Sequence, residues 1–304
     1  MPVILIFGAS GFLGAAIAQV LQNAGLDFRA IVRPNSSLIR IKGIPHERIF
    51  PTPVEDWPKL VIKYKPKVVI CAFWEGVDAN LRRNAEVQMA NIQKVLDLAQ
   101  ICIELDVDKF ITFGSQAEVS ASPELITEEY SANHDSEYAS AKSELQGALL
   151  RKFHTRPMNL CWVRVFSIYG DGDSQHSLIP QMYQSACQNS IFHVGNPELN
   201  WSYLHKKDFQ SGLLAVLNSA NLFGVINLGN NKPVYVHEIV SVVESELKKM
   251  FPEWVGTDLQ KKAPSFGKIP ETRKLTSVGW KPEVELKDGI RMTVKSLTQS
   301  SKLG

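Results

Sequence analysis

Residues Gly8-Ala9-Ser10-Gly11-Phe12-Leu13-Gly14 decide the fold. An apolar run at residues 3–7 leads into them, and a helical pattern at 14–24, closed by Gly25, leads out. Glycine at these three places lets a chain leaving a strand turn tightly and come close to a pyrophosphate. The first N–H groups of the following helix then face that anion. The spacing Gly-x-x-Gly-x-x-Gly by itself also suits a plain structural turn. The strand before it, the helix after it and its place near the start of the chain make it the signature of a dinucleotide site. Gly8, Ser10, Gly11, Phe12, Leu13 and Gly14 are therefore the expected cofactor-binding residues of the turn.

Outward from the turn the same rhythm continues. Apolar runs at 28–32, 67–73, 109–114 and 160–168 alternate with helical patterns at 81–105 and 136–153; in the first of these helices Ile92, Val95, Leu96, Ala99 and Ile103 keep a helical period. This alternation predicts βαβ units and a parallel sheet. The runs are continuously apolar, as strands covered on both faces must be. After about residue 170 the rhythm breaks at Asp171-Gly172-Asp173-Ser174, and the segments become shorter and richer in Trp, His, Asn and Pro. The expected architecture is α/β. A Rossmann-type doubly wound parallel sheet occupies residues 1–170, with some later elements returning to it, and residues 171–304 form a smaller C-terminal substrate-binding lobe.

Composition narrows the class. The 304 residues are 44% hydrophobic and 21% charged, as in an ordinary globular protein. Lys and Arg number 33 against 31 Asp and Glu, so nothing calls for nucleic acid or an anionic membrane surface. No apolar run approaches the ~18 residues of a membrane span. The N-terminus lacks a basic leader and reads as the first strand rather than a signal peptide. Cys71, Cys102, Cys161 and Cys187 are widely spaced with no Cys-x-x-Cys pair, which fits a reducing, cytoplasmic setting. The seven histidines form no close cluster, so no metal site is expected.

The second strand ends Val32-Arg33-Pro34-Asn35-Ser36-Ser37. NAD-binding folds usually place Asp or Glu here against the ribose hydroxyls, whereas an arginine can pair with a 2′-phosphate. Arg33, with the Ser36 hydroxyl beside it, points to NADP(H). NAD remains the alternative if Arg33 is a surface residue. Further on, Tyr138-Ala139-Ser140-Ala141-Lys142 puts a phenol and an ammonium on one helix face. A phenol with its pKa near ~10 is a poor proton carrier at neutral pH, and a neighbouring ammonium favours its ionised form. The pair suits proton transfer to or from a carbonyl or alcohol oxygen. The same spacing is common on solvated helices. Its weight comes from position, in the helix that follows a strand ending at Ser115, where doubly wound folds place ligands. Ser115 is expected to hold the substrate oxygen, the alternative being a helix N-cap. Ser115, Tyr138 and Lys142 are the candidate catalytic set.

Taken together, Gly8/Gly11/Gly14, Ser115 and Tyr138/Lys142 resemble the extended short-chain dehydrogenase/reductase superfamily, and within it the NAD(P)-dependent nucleotide-sugar epimerase/dehydratase family. The likeness runs from about residue 3 to 295. Arg164-Val165-Phe166-Ser167-Ile168-Tyr169-Gly170 resembles the family's Arg-x-x-Asn-x-Tyr-Gly segment, with Ser167 where Asn is usual. Trp201 to Asp208 and Val278-Gly279-Trp280-Lys281-Pro282 resemble two later segments, with Trp201 in place of the usual Arg. Ser115-Gln116-Ala117 stands where the dehydratases carry Thr-Asp-Glu, so the acid that would drive loss of water is missing.

The string Gly114-Ser115-Gln116-Ala117-Glu118 is similar to that of bacterial 4-ketoreductases of nucleotide-linked deoxysugars. The resemblance implies an NAD(P)H-dependent oxidoreductase of that kind, in surface-polysaccharide (O-antigen) biosynthesis. An NAD-retaining epimerase is the alternative, and a non-catalytic NADP(H)-binding regulatory module the third reading. It further implies that Tyr138 and Lys142 hold the nicotinamide ribose and that Ala72 lines the adenosine side. Trp74, Gln116, Arg164 and His205 are candidate substrate contacts, though Trp74 and His205 also suit packing and Arg164 an acidic neighbour. Lys261-Lys262 and Arg273-Lys274 are weaker candidates for the nucleotide diphosphate. A homodimer through the two long helices is implied as well.

Overall fold

In the computed structural model, which describes residues 3–78, 80–120, 125–130, 136–260 and 262–301, β1 (Ile4–Phe7) is buried along its whole length. It lies within a seven-stranded sheet with β2 (Phe28–Val32), β3 (Ile49–Pro51), β4 (Val68–Cys71), β5 (Lys109–Ser115), β6 (Leu160–Val165) and β11 (Gly224–Leu228). The order is β11-β6-β5-β4-β1-β2-β3, and every neighbouring pair is parallel. Successive side chains of a strand point to opposite faces. Ile4 and Ile6 therefore enter one core layer, under α1 (Phe12–Asn23) and α6 (Lys206–Asn218), through Ile17, Leu21, Phe209 and Leu213. Leu5 and Phe7 enter the other, under α2 (Trp57–Tyr64), α3 (Ala85–Glu104) and α4 (Glu137–Lys152), through Trp57, Val95, Leu98 and Leu145. Helices on both faces explain why the strands read as unbroken apolar runs. The doubly wound sheet expected from the sequence is present.

Strand order turns back between β1 and β4, so the carboxyl ends of these two strands flank a crevice where such folds take ligands. The glycine turn follows β1, and Ala72–Trp74 follows β4.

Two expectations are corrected. The strand foreseen at 160–168 is broken: β6 ends at Val165, Ser167 takes a left-handed φ of 26°, and β7 (Ile168–Tyr169) leaves the sheet to pair with β10 (Leu204–His205). The helix foreseen from 81 starts later, because Asn84 accepts from the Val87 N–H and caps α3; Leu81–Arg83 is a separate short turn. β3 and α2 were not foreseen at all, β3 being three half-exposed residues at the sheet edge.

The lobe packs α5 (Leu178–Cys187), α7 (Val236–Lys248) and α9 (Leu286–Ser301) around Met182, Val243, Leu247, Trp254 and Ile290. Two small ladders complete it, β8 (Phe192–Val194) with β13 (Thr257–Leu259) and β9 (Asn200–Trp201) with β12 (Val234–Tyr235). The short α8 (Arg273–Ser277) sends Leu275 into the α1/α6 layer. After residue 170, β11 returns as the edge strand of the sheet and α6 packs on its face. Cys71, Cys102 and Cys161 are buried free thiols, and Cys187 is exposed. Among the described residues no helix is long and apolar enough to cross a membrane.

Candidate active site

Gly8 has φ of +80°, and its N–H and that of Ala9 both donate to Ile31 O, at 3.1 Å each. A Cβ on Gly8 would lie 2.7 Å from the Phe73 backbone nitrogen, and one on Gly14 only 2.1 Å from Gly8 O. Contacts this short leave no room for any side chain, so the turn and α1 are locked together through backbone alone. Gly11 is the N-cap of α1 and offers no side chain to the first N–H groups, which stay open to an anion. This cradle fits the pyrophosphate of a dinucleotide. A crevice of about 70 Å³ beside it gathers Gly8, Ser10, Gly11, Arg33, Ala72 and Trp74. Phe12 and Leu13 form the first turn of α1. Ser36 presents a buried hydroxyl with no hydrogen-bond partner.

Arg33 has a partner that the sequence did not reveal. Its guanidinium pairs with the Glu75 carboxylate, which also accepts from Lys94 Nζ at 2.9 Å. Burial pushes the Glu75 carboxyl up, but Lys94 and Arg33 outweigh it and hold the group below its ordinary value. Asn91 fixes the Glu75 backbone from both sides, accepting its N–H at 3.0 Å and donating to its carbonyl at 2.9 Å. The arginine expected to receive a 2′-phosphate is thus already matched to an acid of the chain.

At the end of β5, Ser115 Oγ accepts from the Ala117 N–H at 3.2 Å and stands close enough to the Tyr138 phenol to favour its ionised form. Ser136 caps α4 by accepting from Ala139 N–H at 3.3 Å, which sets Tyr138 and Lys142 on its buried face. Lys142 Nζ donates to Phe113 O at 2.8 Å and lies 3.5 Å from the centre of the Trp74 ring. Trp74 meets the Tyr138 ring edge-on at 6.1 Å and donates its indole N–H to Gln88. The structure therefore brings Ser115, Tyr138, Lys142 and Trp74 together.

It does not arrange their charges as expected. Burial pushes the Tyr138 phenol up from its ordinary value, against Ser115 and Arg82. Burial also brings Lys142 down to about 7, against the pull of Glu118. The cation in contact with Tyr138 is Arg82, whose guanidinium carbon sits 4.4 Å from the ring centre; Lys142 Nζ is 5.9 Å away. Arg82 was missed because it lies in a stretch read as ordinary helix.

A cavity of about 290 Å³ opens beside this group, lined by Arg82, Gln116, Ser136, Trp201 and Lys268 among others. Gln116 Nε2 donates to Ser167 Oγ at 2.9 Å at its edge. Arg164 is not there. It is turned inward, pairing with Glu118 at 3.3 Å and donating to Asn227 Oδ1 at 3.3 Å; both members of the ion pair are buried, and Glu118 also accepts from Trp162. A buried carboxylate needs such partners, so Arg164 is held inside. His205 is likewise buried: its Nδ1 accepts from the Lys207 N–H as the N-cap of α6, and burial lowers it to about 4, keeping it neutral. Its expected sugar contact gives way to helix capping. Lys274 donates to the Val225 and Phe223 carbonyls and Arg273 pairs with Glu271, while Lys261 falls outside the described residues. Among the described residues no cluster suits a metal ion.

Fold and site define an NAD(P)-dependent enzyme of the extended short-chain dehydrogenase/reductase type. The NAD dependent epimerase/dehydratase family matches residues 4–229, and the chain belongs to it. A dTDP-4-dehydro-6-deoxy-D-allose reductase of a Streptomyces species is 22% identical over 295 residues, 90% of each chain. Two solved structures share the fold. One is the UDP-N-acetylglucosamine 4-epimerase of Methanobrevibacter ruminantium in complex with UDP-N-acetylmuramic acid (TM-score 0.84, 17% identity, 98% of this chain and 99% of that one). The other is the dTDP-glucose 4,6-dehydratase of Bacillus anthracis in complex with NAD (TM-score 0.82, 17% identity, 99% and 98%).

Proposed function

We propose that the chain reduces the 4-keto group of a nucleotide-linked deoxysugar, within bacterial surface-polysaccharide synthesis. The observation that carries the reading is buried Tyr138 set beside Ser115, adjoining a cavity whose margin carries Gln116 and Ala117. Among the described residues that line the cavity no carboxylic acid stands ready to protonate a departing hydroxyl, whereas a phenol and a hydroxyl suffice to handle a carbonyl oxygen. A bound nicotinamide supplies or accepts the hydride. Tyr138 gives the carbonyl oxygen its proton, and Ser115 holds that oxygen in place. Lys142 donates to Phe113 O, and its remaining N–H groups would hold the ribose hydroxyls of a bound nicotinamide. Trp74 covers Lys142 and keeps water from it. A second copy of the chain is proposed to pair through α3 and α4, where Met89 and Leu150 stand exposed.

The Arg33–Glu75 pair favours a second reading, an epimerase that retains NAD, because it occupies the arginine that a 2′-phosphate would need. The purified protein, offered NADPH or NADH with a panel of nucleotide-linked 4-keto-6-deoxy sugars, should oxidise the nicotinamide with one of them. In the same assay Tyr138→Phe should lose roughly 10²- to 10⁴-fold in turnover. No oxidation with any sugar, together with NAD released on denaturation, would replace the reductase by the epimerase.

A further inference from the structure

We propose that Arg82 is the cation that receives the negative charge left on Tyr138, a role the sequence gives to Lys142. The inference rests on the reading of Tyr138 as the proton donor. In the reducing direction the substrate carbon takes the hydride of the reduced nicotinamide, the carbonyl π-electrons go to oxygen, and that oxygen takes the proton of the Tyr138 O–H. Tyr138 is left as a phenolate until it regains a proton from water. Charge that develops during the reaction is best met by a cation already in place.

Three observations place Arg82 there. Its guanidinium carbon lies 4.4 Å from the centre of the Tyr138 ring, and its charge favours the ionised phenol. It lines the 290 Å³ cavity with Gln116 and Ser136, so it reaches the phenol from the side where substrate enters. The short turn that carries it is anchored: buried Gln88 donates to the Leu81 and Gly76 carbonyls at 2.9 and 3.0 Å, and Asp78 accepts from the Leu81 N–H at 3.0 Å. Lys142 is placed for another task. Its Nζ is 5.9 Å from the same ring centre, tied to Phe113 O and capped by Trp74. Burial lowers it to about 7, whereas a guanidinium keeps its charge at any ordinary pH. Among the described residues the other charged group acting on Tyr138 is buried Glu118, which opposes ionisation, so the phenolate depends on the cation already beside it. Lys142 then acts on ribose and Arg82 on the phenol, a division of work between two elements.

The test reads Tyr138 itself. The residue is replaced by 3,5-difluorotyrosine, which ionises well below an ordinary phenol, and its fluorine resonance is followed against pH in the full-length protein. Arg82→Met should raise the midpoint by about one pH unit, a tenfold loss of the ionised form, and Arg82→Lys should restore part of it. Lys142→Met should move it less than Arg82→Met does. Arg82→Gln repeats the comparison with a polar replacement; Arg82 is exposed on its turn, so these variants keep the fold. An unmoved midpoint, or a larger displacement from Lys142→Met, overturns the proposal, as does a lowered melting temperature with the midpoint unchanged. No substrate is needed, so the measurement stands apart from the reduction assay. If Tyr138→Phe leaves turnover intact, the functional reading fails even where the fluorine titration shows Arg82 beside the phenol.

Discussion

Tyr138 touches Trp74, from the proposed dinucleotide groove, and Arg82, from the proposed substrate cavity, and the two regions are built by opposite means. The groove is made of backbone from seven consecutive residues, packed so closely that Gly14 has no space for a methyl group. The cavity is made of side chains that the fold collects from distant segments, Arg82 after β4, Gln116 after β5, Trp201 on β9 and Lys268 beyond β13. Backbone packed as closely as at Gly8 and Gly14 admits no side chain, and a turn built this way suits one ligand class. Side chains on separate segments can be exchanged singly, and such exchange changes what is bound while the fold persists.

The largest expected effect is in the groove. Gly14→Ala should cost about 3 kcal/mol of stability and roughly 100-fold in dinucleotide affinity, because the new methyl meets backbone that can only move as a unit. Gly11→Ala is its control: the nearest atom to that Cβ is Gly8 O at 3.4 Å, so the melting temperature should hold while nicotinamide binding, followed by fluorescence, falls. Equal melting losses in the two variants would break the contrast drawn between packing and ligand approach.

Next comes Lys142, at the boundary of the two regions. Its value of about 7 in the folded protein lies below the ordinary 10.5. Between these limits the unfolded chain holds a proton that the folded chain lacks, so stability rises with pH across this window and the cost is fully present below 7. Lys142→Met should therefore gain on the order of 2 kcal/mol at pH 6, with the gain shrinking toward pH 10. Chemical denaturation of both proteins at several pH values checks it, and a gain that grows with pH would refute the sign.

The smallest effect belongs to the outer edge of the groove. Glu75→Gln frees Arg33, and NADPH should gain about threefold to tenfold over NADH. Since Arg33 is half exposed, added salt should erase most of that gain. An unchanged preference would mean that Arg33 does not reach the ribose of the cofactor.

What was legible in the sequence follows the same division. The turn at 8–14 could be read because its chemistry lies in local spacing, and the strands because both faces are covered. Ser115, Tyr138 and Lys142 were singled out by position in the βαβ order, and the fold sets them side by side. Arg164 and His205 were misplaced because a motif fixes which residue is present, while the direction of its side chain depends on partners elsewhere. Glu118 draws Arg164 inward, and the start of α6 holds His205. Arg82 and Glu75 carry no local signature. Their meaning comes from Tyr138 and Arg33, which the fold alone brings beside them.

The placement of β11 bears on how the chain is made. Until the ribosome has delivered residue 228, β6 is the outermost strand and presents an unpaired row of amide and carbonyl groups along the apolar run Leu160–Val165. Asn227, which holds Arg164 and donates to the Ile126 and Glu271 carbonyls at 2.8 and 3.1 Å, arrives with the same strand. A nascent chain therefore carries its glycine turn and Ser115, Tyr138 and Lys142 long before the last strand of the sheet beneath them is in place. An open apolar edge recruits strands from other chains. Truncations ending between residues 165 and 228 should therefore aggregate, even though they contain every residue of the proposed catalytic set.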